Sequence, residues 1–93
     1  MRLTWSFQAQ NDRNRIFDYI EADNPRAAVA VDNAIREQIE HLTQYPQSGR
    51  AGRVSGTRER VVTGLPYLVV YRLLDDGIRI LRIVHTSQLW PTP

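Results

Sequence analysis

Four arginines stand within eleven positions in "RAGRVSGTRER", residues 50–60: Arg50, Arg53, Arg58 and Arg60, with glycine and serine between them. Guanidinium groups on such a stretch suit a solvated loop, or a surface for phosphate, nucleic acid or an acidic partner. The segment "GRAGRVSG" lacks the Lys-Ser/Thr ending of a phosphate-binding P-loop and no helix is expected after it, so it reads as a connector. His85 is the one residue placed to act as a general acid or base, a role that needs a partner and a solvent-facing position. Its structural alternative is a bond to backbone near the end of the last strand. With no cysteine, there is no thiolate metal site, disulfide or cysteine nucleophile. His41 and His85 fall in different elements without clustered carboxylates, so neither a metal site nor a cofactor is expected.

These residues sit in a chain of 93 residues, expected to form one domain over 1–93. Hydrophobic content of 42% and charged content of 24% lie in the globular range, so disorder is not expected. Charge is uneven: residues 1–49 carry five arginines against seven acids, and residues 50–93 seven against three. The second half is therefore a mild basic footprint. The start "MRLTWSFQAQ" has no apolar signal-peptide region, and "LPYLVVYRLL" is too short to span a bilayer. A cytoplasmic location and no membrane partner are expected.

Several elements must position the candidate residues. "RLTW" alternates as a short strand, and Ser6 caps a helix running to about Ala22 with Ala9, Ile16 and Ile20 on one face. Asn24 and Pro25 start a second helix, whose Ala28, Val31, Ile35, Ile39 and Leu42 recur at three- and four-residue spacing. It should end before Pro46, and the two helices should form a hairpin. Three runs follow, "TRERVVT", "PYLVVYRLL" and "IRILRIVHT", rich in strand-forming residues. A two-residue turn at Asp76-Gly77 would pair Leu73 with Ile80, Tyr71 with Arg82 and Leu68 with His85. The predicted class is α+β, in the order β-α-α-β-β-β, with the helical hairpin packed on a small, mainly antiparallel sheet.

In that register Tyr67, Val69, Tyr71, Leu73, Ile78, Ile80, Arg82 and Val84 share one face. The other carries Leu68, Val70, Arg72, Leu74, Arg79, Leu81, Ile83 and His85. One face meets the helices, so the second should be an open apolar concavity edged by Arg72, Arg79 and His85. Arg72 and Arg82, set in apolar strands, need a carboxylate such as Glu59 or the open side. Trp90 could anchor the tail on the core or stand exposed as a contact. Tyr67 and Tyr71 read as core, and "WPTP" should end the ordered chain.

The order of elements, the helix break "ADNPRAA", the loop "YPQSGRAGRVSGTRE" and above all "PYLVVYRLLDDGIRILRIVHTSQLWP" resemble the RelE/ParE superfamily of toxins from bacterial type II toxin–antitoxin modules. The resemblance spans nearly the whole chain and implies a toxin neutralised by a cognate antitoxin. RelE-like members are ribosome-dependent mRNA endonucleases; ParE-like members poison DNA gyrase without catalysis of their own. The ribonuclease branch commonly has arginine where this chain has Leu68, and basic residues with tyrosine after the last strand, where this chain has "TSQLWPTP". His85 alone would have to serve as its acid or base. The ParE-like branch is therefore the preferred expectation. An mRNA endonuclease is the first alternative, and a binding module without toxicity the second. The resemblance makes Arg58, Arg60, Leu68, Arg72, Arg82, His85 and Trp90 the candidate contacts with target or antitoxin. Under the preferred reading none of them is catalytic.

Overall fold

The computed structural model describes residues 1–88 and 90–91, and the expected stop at "WPTP" lies partly outside them. Strand β1 spans Arg2–Trp5, helix α1 Phe7–Glu21 and helix α2 Pro25–Gln44; β2 is Arg50–Ala51, β3 Arg58–Val61, β4 Tyr67–Leu73 and β5 Gly77–His85. The helix starts follow their caps. Ser6 Oγ accepts from the Ala9 amide at 2.9 Å, and Asn24 Oδ1 accepts from Ala27 at 3.1 Å with Pro25 in the first turn. Tyr45, before Pro46, closes α2.

The strands form one mixed sheet in the order β1-β5-β4-β3-β2, with β1 parallel to β5 and the other pairs antiparallel. The α+β class and the helical hairpin on the sheet are as expected, with the short β2 added. Ala9 of α1 and Ile35, Ile39 and Leu42 of α2 bury against Val62, Val69, Tyr71, Ile78, Ile80 and Ile83. Arg13 of α1 pairs with Asp32 of α2 through bonds of 2.7 and 2.9 Å, and its guanidinium lies over the Trp5 ring.

The β4–β5 register differs from the expected one twice. The turn centres on Asp75-Asp76, closed by the Leu74 amide donating to the Gly77 carbonyl at 2.8 Å, so Leu73 faces Ile78 instead of Ile80. Gly77 has no positive φ; it is required because a Cβ there would run into the Arg2 carbonyl of β1. Further along, Tyr71 faces Ile80 while Val70 faces Arg82, which leaves Leu81 as an extra residue in β5. That bulge reverses the alternation beyond it. Ile83 enters the core under the helices, and Val84 joins Leu68 and Val70 on the other face. The sequence assignment of these two residues is thus corrected.

Ile35 is 1% exposed at the centre of the helix–sheet contact. Ile35→Ala should lower unfolding stability by roughly 2–5 kcal/mol in denaturant titration. A loss below about 0.5 kcal/mol, the scale of surface changes, would contradict this packing.

Candidate functional site

The four loop arginines divide between the two faces of the sheet. Arg58 and Arg60 oppose Tyr71 and Val69, so they lie on the helix side. Arg58 donates to the carbonyls of Gly49 (2.9 Å) and Gln47 (3.3 Å), and Arg60 to that of Ser48 (3.4 Å). The buried Tyr71 hydroxyl binds the same turn, donating to the Pro46 carbonyl at 2.7 Å and accepting from the Gly49 amide at 2.9 Å. Burial raises the Tyr71 phenol above its usual range, against the opposing pull of the Gly49 N–H and the two arginines.

Arg50 and Arg53 converge instead on Glu59, whose side chain is 1% exposed. Glu59 accepts from the Arg53 amide at 2.9 Å and from Arg50 Nη2 at 3.2 Å, and Arg53 Nε lies 3.9 Å away. Burial pushes this carboxyl upward. The Arg53 N–H, the Arg50 bond and both guanidinium charges outweigh that effect, and the group ends below the ordinary glutamate range. Glu59 is therefore the partner of Arg50 and Arg53, and not of Arg72 or Arg82.

On the face away from the helices, Leu68, Val70 and Val84 are buried, with Leu81 and Trp90 packed against them. The apolar face expected to be open is covered in part by the chain's own Trp90. Arg53 Nη1 donates to the Trp90 carbonyl at 3.1 Å, and the Arg82 guanidinium lies 5.5 Å from the ring centroid. Arg82 is held from the other side by Asp12 of α1, through bonds of 2.7 and 3.1 Å. Asp12 also accepts from the Ile83 amide at 2.8 Å. Arg72 is exposed and stands directly opposite Arg79, with no ion pair to either among the described residues. Like charges facing across strands are unfavourable. This pair is the part of the basic surface left for an external anion.

The bulge moves His85 off that face. It pairs with Tyr67, meets the Tyr67 ring edge-on at 5.6 Å, and borders a cleft with Asp12, Arg15, Ile16, Arg82, Ile83 and Gln88. His85 Nδ1 accepts from the Ser87 amide at 3.1 Å and lies 2.7 Å from the Ser87 hydroxyl. The neutral ring therefore carries its hydrogen on Nε2. Of the candidate contacts, the structure brings Leu68, Arg82 and Trp90 together, with Arg72 elsewhere on the same face. Arg58 and Arg60 lie across the sheet, and His85 sits at its helix-side margin. Sequence reasoning missed Asp12, whose pattern is that of any exposed helix acid. Among the described residues, no three His, Asp or Glu side chains gather as metal ligands.

Comparison with known proteins agrees with this architecture. A family model described as the ParE toxin of the type II toxin–antitoxin system, parDE, matches residues 3–90. Y4kP of Sinorhizobium fredii is 40% identical over 90 residues, 97% of this chain and 93% of that protein. Toxin RelE2 of Caulobacter vibrioides is 30% identical over 88 residues, 95% of this chain and 98% of that one. Among solved structures, a chain of the chromosomal ParDE TA system from P. aeruginosa superposes with a TM-score of 0.82 at 28% identity, covering 91% of this chain and 95% of its own.

The Glu59 cluster makes a pH prediction. A carboxyl whose folded pKa is depressed stabilises the fold above the unfolded glutamate range and loses that contribution as pH falls through the folded value. Glu59→Gln should therefore melt lower than wild type at pH 7, with the gap narrowing between about pH 5 and about pH 3. Parallel Tm profiles for the two proteins would contradict the loop clamp.

Proposed function

The chain belongs to the ParE toxin family of type II toxin–antitoxin systems, and from that membership we propose that it arrests growth by poisoning DNA gyrase through surface contact in the cytoplasm. The observation that carries the choice of mechanism is the state of His85. RNA cleavage through the 2′-OH needs a group that takes up a proton. With the Ser87 amide donating to Nδ1, the one lone pair of the neutral His85 ring is engaged there and Nε2 presents a hydrogen. Arginine is protonated throughout the physiological range and is no substitute as base. A poison that works by complementarity needs no such group. The second reading, cleavage of mRNA at the ribosome, rests on the similarity to RelE2.

The contact surface in this proposal is the face away from the helices: Arg82 and Trp90, the latter over the buried Leu68, with Arg72 and Arg79 beside them. An antitoxin with acidic side chains complements the Arg72–Arg79 pair, which has no carboxylate of its own among the described residues. Arg58 and Arg60 contribute by holding the 46–49 turn. Trp90 lies where an external apolar group would dock, so the antitoxin packs on the indole or takes its place.

Expression without antitoxin should arrest growth, and co-expression should relieve the arrest. Unhindered growth at verified soluble expression would reject the toxin reading and leave a binding module without toxicity. In arrested cells, cleaved DNA bound to gyrase should accumulate. Codon-phased mRNA cuts that vanish in His85→Gln would instead establish the ribonuclease reading.

For the antitoxin, Arg72→Glu should weaken the complex by about tenfold or more in calorimetry, as expected when a carboxylate loses its cation. Arg26→Glu, on the exposed first turn of α2, should leave affinity within about twofold. Equal losses at both positions would reject a localised contact surface.

A further inference from the structure

The cleft beside His85 has no task in the mechanism above. It measures about 140 Å³ between α1, the start of β4 and the end of β5, on the helix side of the sheet, away from Arg72 and with Arg82 between it and Trp90. Ile16 and Ile83 supply apolar wall, and polar side chains form the rest. The pairing of those polar groups is asymmetric. Asp12, the one carboxylate, is occupied by Arg82 and by the Ile83 amide. Gln88 Oε1 accepts from the His85 amide at 3.3 Å, which leaves the Gln88 NH2 as a donor. His85 Nδ1 faces Ser87, which leaves Nε2–H as a donor. The Tyr67 hydroxyl and the Arg15 guanidinium have no bond to another described residue. Burial raises the Tyr67 phenol above its usual range, so its proton stays in place.

Four uncommitted donor groups therefore border one small cleft, and its only carboxylate is already paired with Arg82 and the Ile83 amide. Arg15 supplies a full positive charge, because the charge of Arg82 is balanced by Asp12. The complement to such a set is an anion with oxygens turned in several directions. Either a carboxylate or a phosphate takes a bidentate contact from arginine, but a carboxylate offers two oxygens in one plane, whereas a phosphate presents a tetrahedron that can meet donors from several sides. We propose that Arg15, Tyr67, His85 and Gln88 form a binding site for a phosphate group. The site does not depend on whether gyrase or the ribosome is the target, since neither reading uses these four donors together.

The test titrates inorganic phosphate into the 15N-labelled full chain at fixed pH and ionic strength, following the Gln88 side-chain amide and the His85 ring. The expected result is a saturable shift of both signals. Arg15→Gln should raise the midpoint at least about tenfold, the scale for losing a charged hydrogen bond. Arg15 is exposed and makes no described bond, so that variant should keep the wild-type amide spectrum elsewhere. Tyr67→Phe, which removes a neutral donor, should raise the midpoint by about twofold to tenfold. Arg26→Gln, on the first turn of α2 and outside the cleft, should change nothing. Shifts that stay linear, persist unchanged in Arg15→Gln, or weaken equally in Arg26→Gln would overturn the site. Competition with a thymidine dinucleotide, with and without a 5′-phosphate, identifies the source. Displacement by the phosphorylated form alone assigns a terminal phosphate, and displacement by both a backbone phosphodiester. Displacement by neither, with saturable phosphate binding, assigns free phosphate.

Discussion

One extra residue in β5, Leu81, organises the functional half of the molecule. The bulge ends the pairing of β5 with β1 and turns the strand's remaining edge toward the start of α1. The groups it exposes on that edge are satisfied from there. The Ser6 amide donates to the Ile80 carbonyl at 2.9 Å, the Ser6 hydroxyl to the Leu81 carbonyl at 2.8 Å, and Asp12 accepts from Ile83. Without these partners the buried backbone would be left unpaired, at about 1–3 kcal/mol per group. Ser6 thus caps α1 and stitches it to the sheet with the same hydroxyl. The consequences run outward from there: Arg82 falls on Asp12, Val84 faces Trp90, and His85 leaves the Trp90 face for Tyr67.

The arginine-rich loop draws its order from a different source. A two-residue β2 is too short to hold a loop by ladder bonds alone. Tyr71, Arg58 and Arg60 bind its carbonyls from below, and Glu59 gathers Arg50 and Arg53 from above. Exposed ion pairs contribute little, but Glu59 is buried and would be an uncompensated charge if the loop left. The apparent basic cluster of the sequence is therefore mostly internal bracing. What remains for a partner is the opposed pair Arg72 and Arg79, together with the indole of Trp90. The family places an antitoxin among the partners of this chain, and that surface has the sign of charge to meet an acidic one.

Much of the fold was legible because its signals are local. Ser6, Asn24 and Pro25 mark helix starts by chemistry that acts within one turn, and the stripe from Ala28 to Leu42 repeats often enough to fix the buried face. The register was not legible. "LLDDG" allows turns on Asp75-Asp76 or Asp76-Gly77, and the glycine that favoured the second is needed for the approach of β1. The bulge leaves no mark in "RILRIVH", where apolar residues suit both faces of the sheet. The face assignment placed Leu68 correctly by its alternation in β4, while the sequence leaves Trp90 open between packing on the core and standing exposed. It failed at His85, whose face depends on counting residues through the bulge. Asp12 could not be found from sequence, because its role comes from contacts with a strand distant along the chain.

The account stands on the bulge, and NOE contacts in the 13C-labelled protein test it most directly. The structure predicts contacts from the Val84 methyls to the Trp90 indole, and from the Ile83 methyls to α1. A regular β5, in which Ile83 meets the indole and Val84 packs beneath α1, would contradict it and return His85 to the Arg72 face.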